Sequence, residues 1–405
     1  MVLIGLVGLP LVGNLIDMPC NKERATFAHW GKEYGDIASV SILGQCIVIV
    51  NSAQVAIDML DKKSSIFSDR LVLVMKALGL TPYGARFRDY HRRAYQLFEN
   101  NAAMKQFLPP EELETRRLLK RLLVKPEDLS TPIRRTTGAI SLRIIYGYEV
   151  QEEEDLFVEL AEQDMHQFSL SVTSGRFLVN LIPSCKSLDL VRYVPDWFPG
   201  AEFKRIAKMW ASTRSDLGGV DTTAASIYAF FKAMVLFPEV QVKAQAEIDA
   251  VVGIDRLPGF DDRERLPYIN ALVLEVSRWH SVVPTGVPHR VTEDDVHSGY
   301  FIPKGTIVFA NIWYGDISSP KGLFGTENKE PELDPYKVSF GFGRRVLADA
   351  SIFHLLCYGY CEDGIVFEPD TETTSGTVSH PALFKCTIKP RNEKGLFAAS
   401  TRRES

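Results

Sequence analysis

From Arg86 to His280 most stretches repeat their apolar residues three and four apart, and that periodicity constrains the class of fold before any motif is read. Amphipathic spacing predicts helices over 86–98, 111–123, 131–146 and 152–170. Two long helices follow over 222–237 and 239–252, separated at Pro238, and a further one over 267–280 is bounded by prolines. Residues 183–199 interrupt the series as a loop, with Trp197-Phe-Pro-Gly200 as a breaker. Strand-like runs are confined to either side of this block. Residues 37–43 and 47–51 flank Gly44 and predict a β-hairpin. A helix over 22–34 with Gly35 at its end precedes the hairpin, and one over 52–60 with Ser52 as N-cap follows it. Residues 284–313 are β-rich, and 300–309 predict a second hairpin turning at 303–305. Residues 318–337 are polar and structureless, and a last helix is expected over 348–358. The expected fold class is mainly α (α+β), a helix-rich body with small β-sheets near its two ends.

A chain of 405 residues that is 45% hydrophobic and 24% charged can bury a large core. Its 46 basic and 51 acidic residues leave a net charge of -5 without a like-charge block, which argues against nucleic acid as the main partner. The cysteines Cys20, Cys46, Cys185, Cys357, Cys361 and Cys386 are scattered without a CxxC pair, the pattern of free thiols in a reducing compartment. Residues 1–16 are apolar except for Asn14, but Gly5, Gly8, Pro10 and Gly13 interrupt them. A bilayer span needs about 20 apolar residues. The run also lacks the basic start and small-residue cleavage site of a signal peptide. Residues 1–16 are therefore expected to be a packed or interfacial stub with peripheral membrane contact, and 17–405 a single domain.

Four motifs could carry chemistry. In Glu275-Val-Ser-Arg278 the carboxylate and guanidinium share a helix face; the pair is either a solvated surface pair or, on a helix carrying Leu272, Leu274, Val276 and Trp279, a buried structural one. Gly218-Gly-Val-Asp-Thr-Thr223 leads into a long helix, where Asp221 either caps the helix or joins a hydroxyl in relaying protons. Phe340-Gly-Phe-Gly-Arg-Arg345 is either an ordinary surface turn or a cradle for an anionic group on a flat apolar ligand. It is not a phosphate loop, since no Lys-Ser/Thr follows. Pro288-His-Arg290 offers a histidine that either donates to a carboxylate or sits as a satisfied structural group, and Asp294-Asp295 reads as a solvated turn. The absence of GxSxG, HExxH and GxGxxG weakens hydrolase, zinc-protease and dinucleotide-dehydrogenase readings.

The order of these motifs is more specific than any one of them. The series from Gly218 to Arg345, with a Phe-Ile-Pro-Lys-Gly turn at Phe301 to Gly305, resembles the cytochrome P450 family of haem-thiolate monooxygenases over nearly the whole chain. Pro10-Leu-Val-Gly-Asn-Leu-Ile-Asp-Met-Pro19, Phe67-Ser-Asp-Arg70, Asp196-Trp-Phe-Pro-Gly200 and Phe237-Pro-Glu-Val-Gln241 are most similar to fungal members acting in secondary metabolism. The resemblance implies an incomplete cytochrome P450 fold with haem b between the Asp221 helix and the Arg345 loop. It also implies an NADPH-dependent cytochrome P450 reductase as partner and a small apolar substrate. The implied location is the endoplasmic reticulum membrane, with the cytoplasm as the alternative for a chain without a full transmembrane helix. By the same resemblance Asp221 and Thr222 match the acid–alcohol pair that delivers protons, and Gly218 and Gly219 the point where that helix passes over the haem. Glu275 and Arg278 match the structural pair beneath the haem, and His289 and Arg345 match positions that hold propionates. Where the family has Trp-x-x-x-Arg this chain has Phe87 and His91, with Arg88 and Arg92 close by as cofactor contacts.

The chain also departs from the family. The family's glycine-rich turn runs on through a cysteine that ligates iron, whereas here Val346 leads directly into Leu347-Ala-Asp-Ala-Ser351, so no metal ligand is assigned. Cys357 and Cys361 lie about three helical turns further on and are expected to pack as small apolar residues. The resemblance further implies missing segments between Leu80 and Thr81, Trp210 and Leu217, and Asp316 and Phe324. Two functions follow: a haem-dependent monooxygenase, or a catalytically inactive truncated relative (pseudogene product or mis-spliced gene model) with impaired haem binding. A small-molecule carrier is a third class.

Overall fold

The computed structural model describes residues 5–19, 21–70, 80–94, 96, 105–125, 127–151, 155–172, 220–313, 333–345, 373–374, 377–384 and 386. The loop over 183–199, the helix over 348–358, most of 318–337, and Cys20, Cys185, Cys357 and Cys361 lie outside the described residues.

Helix α1 (Glu23–Tyr34) buries Phe27 and Trp30 and ends at Gly35, whose N–H donates to the Gly31 carbonyl at 3.0 Å. Strands β1 (Ile37–Ile42) and β2 (Gln45–Val50) form the expected hairpin, in register from Ile37 opposite Val50 to Ile42 opposite Gln45. Ser52 Oγ accepts the Val55 N–H at 3.4 Å and starts α2 (Ala53–Ala56), which continues as a wider turn to Asp61. Then come α3 (Ser64–Phe67) and β3 (Asp69–Arg70). The helical block follows as α4 (Ala85–Ala94), α5 (Leu108–Val124), α6 (Ser130–Tyr146), α7 (Leu156–Val172), α8 (Val220–Leu236), α9 (Pro238–Val251) and α10 (Pro267–Trp279). α7 starts later than its periodicity suggests because Asp155 Oδ1 accepts the N–H groups of Phe157 (2.9 Å) and Val158 (3.3 Å), capping the helix there.

α8 is the hub of the core. Its Ile227, Phe230 and Phe231 pack in one cluster with Leu118 of α5, Ile133 of α6 and Leu272 of α10. Each such side chain stabilises the fold by about 1.5–3 kcal/mol. Pro238, which has no N–H to continue the ladder, turns the chain by 106° between α8 and α9.

Strands β4 (His289–Arg290), β5 (Asp295–His297), β6 (Tyr300–Ile302) and β7 (Ile307–Ala310) complete the described elements of regular length. The expected hairpin over 300–309 does not form. β6 pairs with β5 in a separate two-stranded sheet, while β7 runs parallel to β2, with Ile47 opposite Ile307 and Val50 opposite Ala310. β7 is buried at every position. Such a strand gains more from a place inside a sheet than from pairing with the half-exposed β6. The sheets are small, as expected, but strands from the two sides of the helical block join in one of them, five-stranded in the order β1-β2-β7-β4-β3.

Residues 5–16 lie along β1. The Leu6 N–H donates to the Ser39 carbonyl at 3.2 Å, and Asn14 Oδ1 accepts the Ser41 N–H at 3.0 Å. Val7, Leu11 and Ile16 stay exposed. Among the described residues no single helix is long and apolar enough to cross a membrane. Asp295 is no solvated turn residue: Lys63 Nζ lies 2.7 Å from its Oδ2 and ties the start of α3 to β5.

Candidate active site

Glu275 and Arg278 lie one turn apart on α10, with 0% and 4% of their surface exposed. Arg278 donates through Nε to Glu275 Oε2 at 2.9 Å and through Nη2 to Oε1 at 2.5 Å. The solvated-surface reading of this motif is thereby replaced by a buried bidentate pair.

A second group of charges is built across the sheet edge. The β3–β4 register sets Arg70 opposite His289. His289 Nδ1 lies 2.7 Å from the Phe67 carbonyl, and burial, followed by the adjacent Arg70 charge, holds its pKa well below the ordinary 6.5. The ring is therefore neutral, with its proton on Nδ1. Arg345 arrives from the other side on the glycine-rich turn. Gly343 has φ 56°, and a Cβ there would sit 2.5 Å from the Leu60 carbonyl oxygen, so only glycine allows this approach. Arg345 donates to the carbonyls of Ser68 (Nε, 2.9 Å) and Thr81 (Nη2, 2.8 Å), and its guanidinium lies 3.7 Å from the centre of the Phe87 ring. Arg70 donates through Nη1 to the carbonyls of Val287 and Pro288. Burial pushes Arg70 down to about 9, with the nearby Arg345 charge as the next cause, and pushes Arg345 down to about 10.

This group is incomplete by itself. Among the described residues, Arg345 Nη1, Arg70 Nε, Ser68 Oγ and His91 Nε2 are buried without a hydrogen-bond partner. Two desolvated cations and orphaned donors together are costly unless an anion meets them. Arg345 is thus part of a buried cation pair, not of an ordinary surface turn. Arg88 and Arg92 are exposed on α4, and it is Phe87 and His91 of the same helix that sit inward.

The third group stands at the start of α8. Asp221 lies in the first turn and its Oδ1 is 3.0 Å from His380 Nε2. The Thr222 carbonyl accepts the Ser226 hydroxyl at 3.1 Å. Gly218 and Gly219 lie outside the described residues.

The sequence comparisons decide the family. The Cytochrome P450 family profile matches residues 202–315. Cytochrome P450 monooxygenase 208 of Postia placenta is 39% identical over 463 aligned positions, covering 95% of this chain and 89% of the relative. The chain belongs to the cytochrome P450 family. Cytochrome P450 monooxygenase claR of Ampulloclitocybe clavipes is also 39% identical (95% of this chain, 86% of the relative), and COX2 of Coprinopsis cinerea is 35% identical (95% and 88%). An alignment of 463 positions exceeds the 405 residues of this P450, so the Postia relative carries stretches with no counterpart here.

P450 enzymes use haem and draw electrons from a redox partner. The orphaned donors of Arg70, Arg345, Ser68 and His91 fit the two carboxylates of a haem, so the residues present suit that edge of the cofactor. Sulfur is not supplied by the described part of this P450. Cys46 on β2 and Cys386 are half-buried thiols whose pKa is raised by burial, Cys386 to about 11, so neither is a ready thiolate. The junction after Arg345 lies outside the described residues.

Arg70 was the main residue missed by sequence reasoning. It appears there only inside Phe67-Ser-Asp-Arg70 as a mark of resemblance. Its signal was an arginine ending a run that begins with a core phenylalanine, but nothing local says that β3 will set it against β4.

The buried histidines make a testable pH dependence. His280, just after α10, bonds through Nε2 to the Ser379 carbonyl at 2.8 Å, and burial holds its pKa at about 4. A histidine depressed in the folded state is protonated more readily when unfolded. Its contribution is therefore complete above about pH 6.5 and is lost as pH falls towards about 4. Urea unfolding should lose about 3 kcal/mol from this group between pH 7 and pH 4, and His280→Gln should flatten that part of the profile.

Proposed function

We propose that this chain is a haem-dependent monooxygenase that oxidises a small apolar metabolite with O2, in fungal secondary metabolism. Its electrons would come from an NADPH-dependent cytochrome P450 reductase. The observation that carries the reading is the buried Arg70–Arg345 group with donors left over for an anion. Arg70, Arg345, Ser68 and His91 would hold the haem carboxylates, with the neutral His289 beside them. Bound haem supplies dioxygen activation and oxygen insertion. Asp221 and Thr222, at the start of α8, hold and pass protons there. Glu275 and Arg278 keep α10 in place from within the core. The exposed Val7, Leu11 and Ile16 support peripheral contact with the endoplasmic reticulum membrane.

A carbon monoxide difference spectrum of the reduced, haem-loaded chain tests this. The oxygenase reading requires the red-shifted Soret band of a thiolate-ligated haem, with its sulfur from a cysteine outside the described residues. Haem bound without that band overturns the oxygenase reading. It would favour the truncated, inactive relative, which the sequence already motivates by running from Val346 to Leu347 without a cysteine.

A further inference from the structure

Asp221 meets a turn from near the other end of the chain. His380 Nε2 lies 3.0 Å from Asp221 Oδ1, and the two side chains are 18% and 19% exposed. The turn that carries His380 is fastened to itself and to its neighbours. The Thr374 N–H donates to the His380 carbonyl at 2.8 Å, and the His380 N–H donates to Thr374 Oγ1 at 2.9 Å. Next to it, the Ser379 N–H donates to the Val282 carbonyl at 2.7 Å, while the Ser379 carbonyl accepts from His280. Arg24 of α1 reaches the Thr374 carbonyl and Ser379 Oγ, both at 3.4 Å, and also Thr373 Oγ1. Further along, the Phe384 ring packs 4.7 Å from Tyr228 of α8, and the Phe384 N–H donates to the Tyr228 hydroxyl at 3.3 Å. Three separate parts of the fold thus fix the backbone that presents one imidazole to one carboxylate, and a side chain so mounted is preorganised.

Among the described residues, the charged groups around the imidazole differ in sign. Asp221 faces it from α8, and Arg24 approaches its turn from α1. The neutral His280 lies beyond α10, with Lys232 of α8 also within electrostatic range of His280. Asp221 is the acid that this ring meets.

We propose that His380 is a positioning residue for proton delivery by Asp221. Its Nε2–H holds Oδ1, sets the direction of the carboxyl group, and joins it to solvent through the partly exposed ring. The inference rests on the monooxygenase reading of Asp221. A proton passed from the Asp221–His380 pair towards the site is made up by one taken from solvent at the exposed edge of the ring; only protons move.

Two measurements test it, the first without haem. In chain labelled with 15N-histidine, the His380 ring, assigned by its loss in His380→Gln, should show a hydrogen-bonded Nε2–H that disappears in Asp221→Ala. A signal untouched by Asp221→Ala overturns the pairing and the proposal. The second uses haem-loaded protein with reductase, NADPH and 7-ethoxycoumarin as an apolar probe. His380→Gln should raise the hydrogen peroxide released per NADPH severalfold, the double variant with Asp221→Asn should release no more than Asp221→Asn alone, and His380→Arg should restore part of the coupling. An unchanged peroxide yield in His380→Gln, in protein that gives the thiolate band with carbon monoxide, overturns the role of His380 and leaves the oxygenase standing. Absence of that band in the unsubstituted chain removes the oxygenase reading, and this role with it.

Discussion

Glu275→Ala is expected to lower the unfolding free energy by about 3–5 kcal/mol, because it removes the carboxylate that pairs bidentately with Arg278, a cation with only 4% of its surface exposed. Against a total stability of about 5–15 kcal/mol, that is a fifth or more of the margin. The magnitude follows from burial, not from the presence of an ion pair. Arg93 and Asp89, also one turn apart at 3.2 Å, are 72% and 48% exposed, and breaking that pair should change stability by at most about 1 kcal/mol. A Glu275→Ala, Arg278→Met double variant should recover part of the loss, since the remaining charge goes with the second substitution. Urea unfolding of the four proteins decides the matter. Equal, small losses for the Glu275 and Asp89 variants would show that the α10 pair is solvated in solution.

Arg345→Gln is expected to weaken haem binding by roughly 30-fold to several thousandfold, the equivalent of removing one partner of a buried charge pair at about 2–5 kcal/mol. The chain without haem should respond far less. Removing Arg345 gives up two hydrogen bonds to carbonyls, but it also removes an unpartnered Nη1 and the positive charge that opposes Arg70. Haem titration followed by absorbance, alongside unfolding of the haem-free chain, separates the two effects. A variant that binds haem as the parent does, yet unfolds much more easily, would make Arg345 a structural residue and leave the orphaned donors without an anion.

These two sites differ in how legible they were. Glu275 and Arg278 sit three apart on a helix whose apolar neighbours are visible in the same thirteen residues, so pairing and burial were both open to inference from local spacing. Arg345 was legible as a candidate cation, but its partner Arg70 was not. The electrostatic interaction between them depends on β3 lying against β4 and on the close approach that Gly343 permits to Leu60 and Ser64. Arg88 and Arg92 were candidates by proximity in sequence; the burial of Phe87 under Arg345 orients α4 so that both arginines are exposed.

The sequence by itself determined the described helices to within a few residues, the caps at Ser52 and Gly35, the break at Pro238, the order of the motifs, and the run from Val346 to Leu347 without a cysteine between. Each of these is encoded by residues within a few positions of one another, where hydrogen-bonding range and the 3.6-residue period apply directly. Only the tertiary structure decided that β7 leaves its sequence neighbour β6 for β2, that Arg70 joins Arg345, and that His380 meets Asp221. Those partners lie far apart along the chain, and what selects them is the burial of apolar strand and helix faces throughout the molecule, a quantity that no local window of sequence contains.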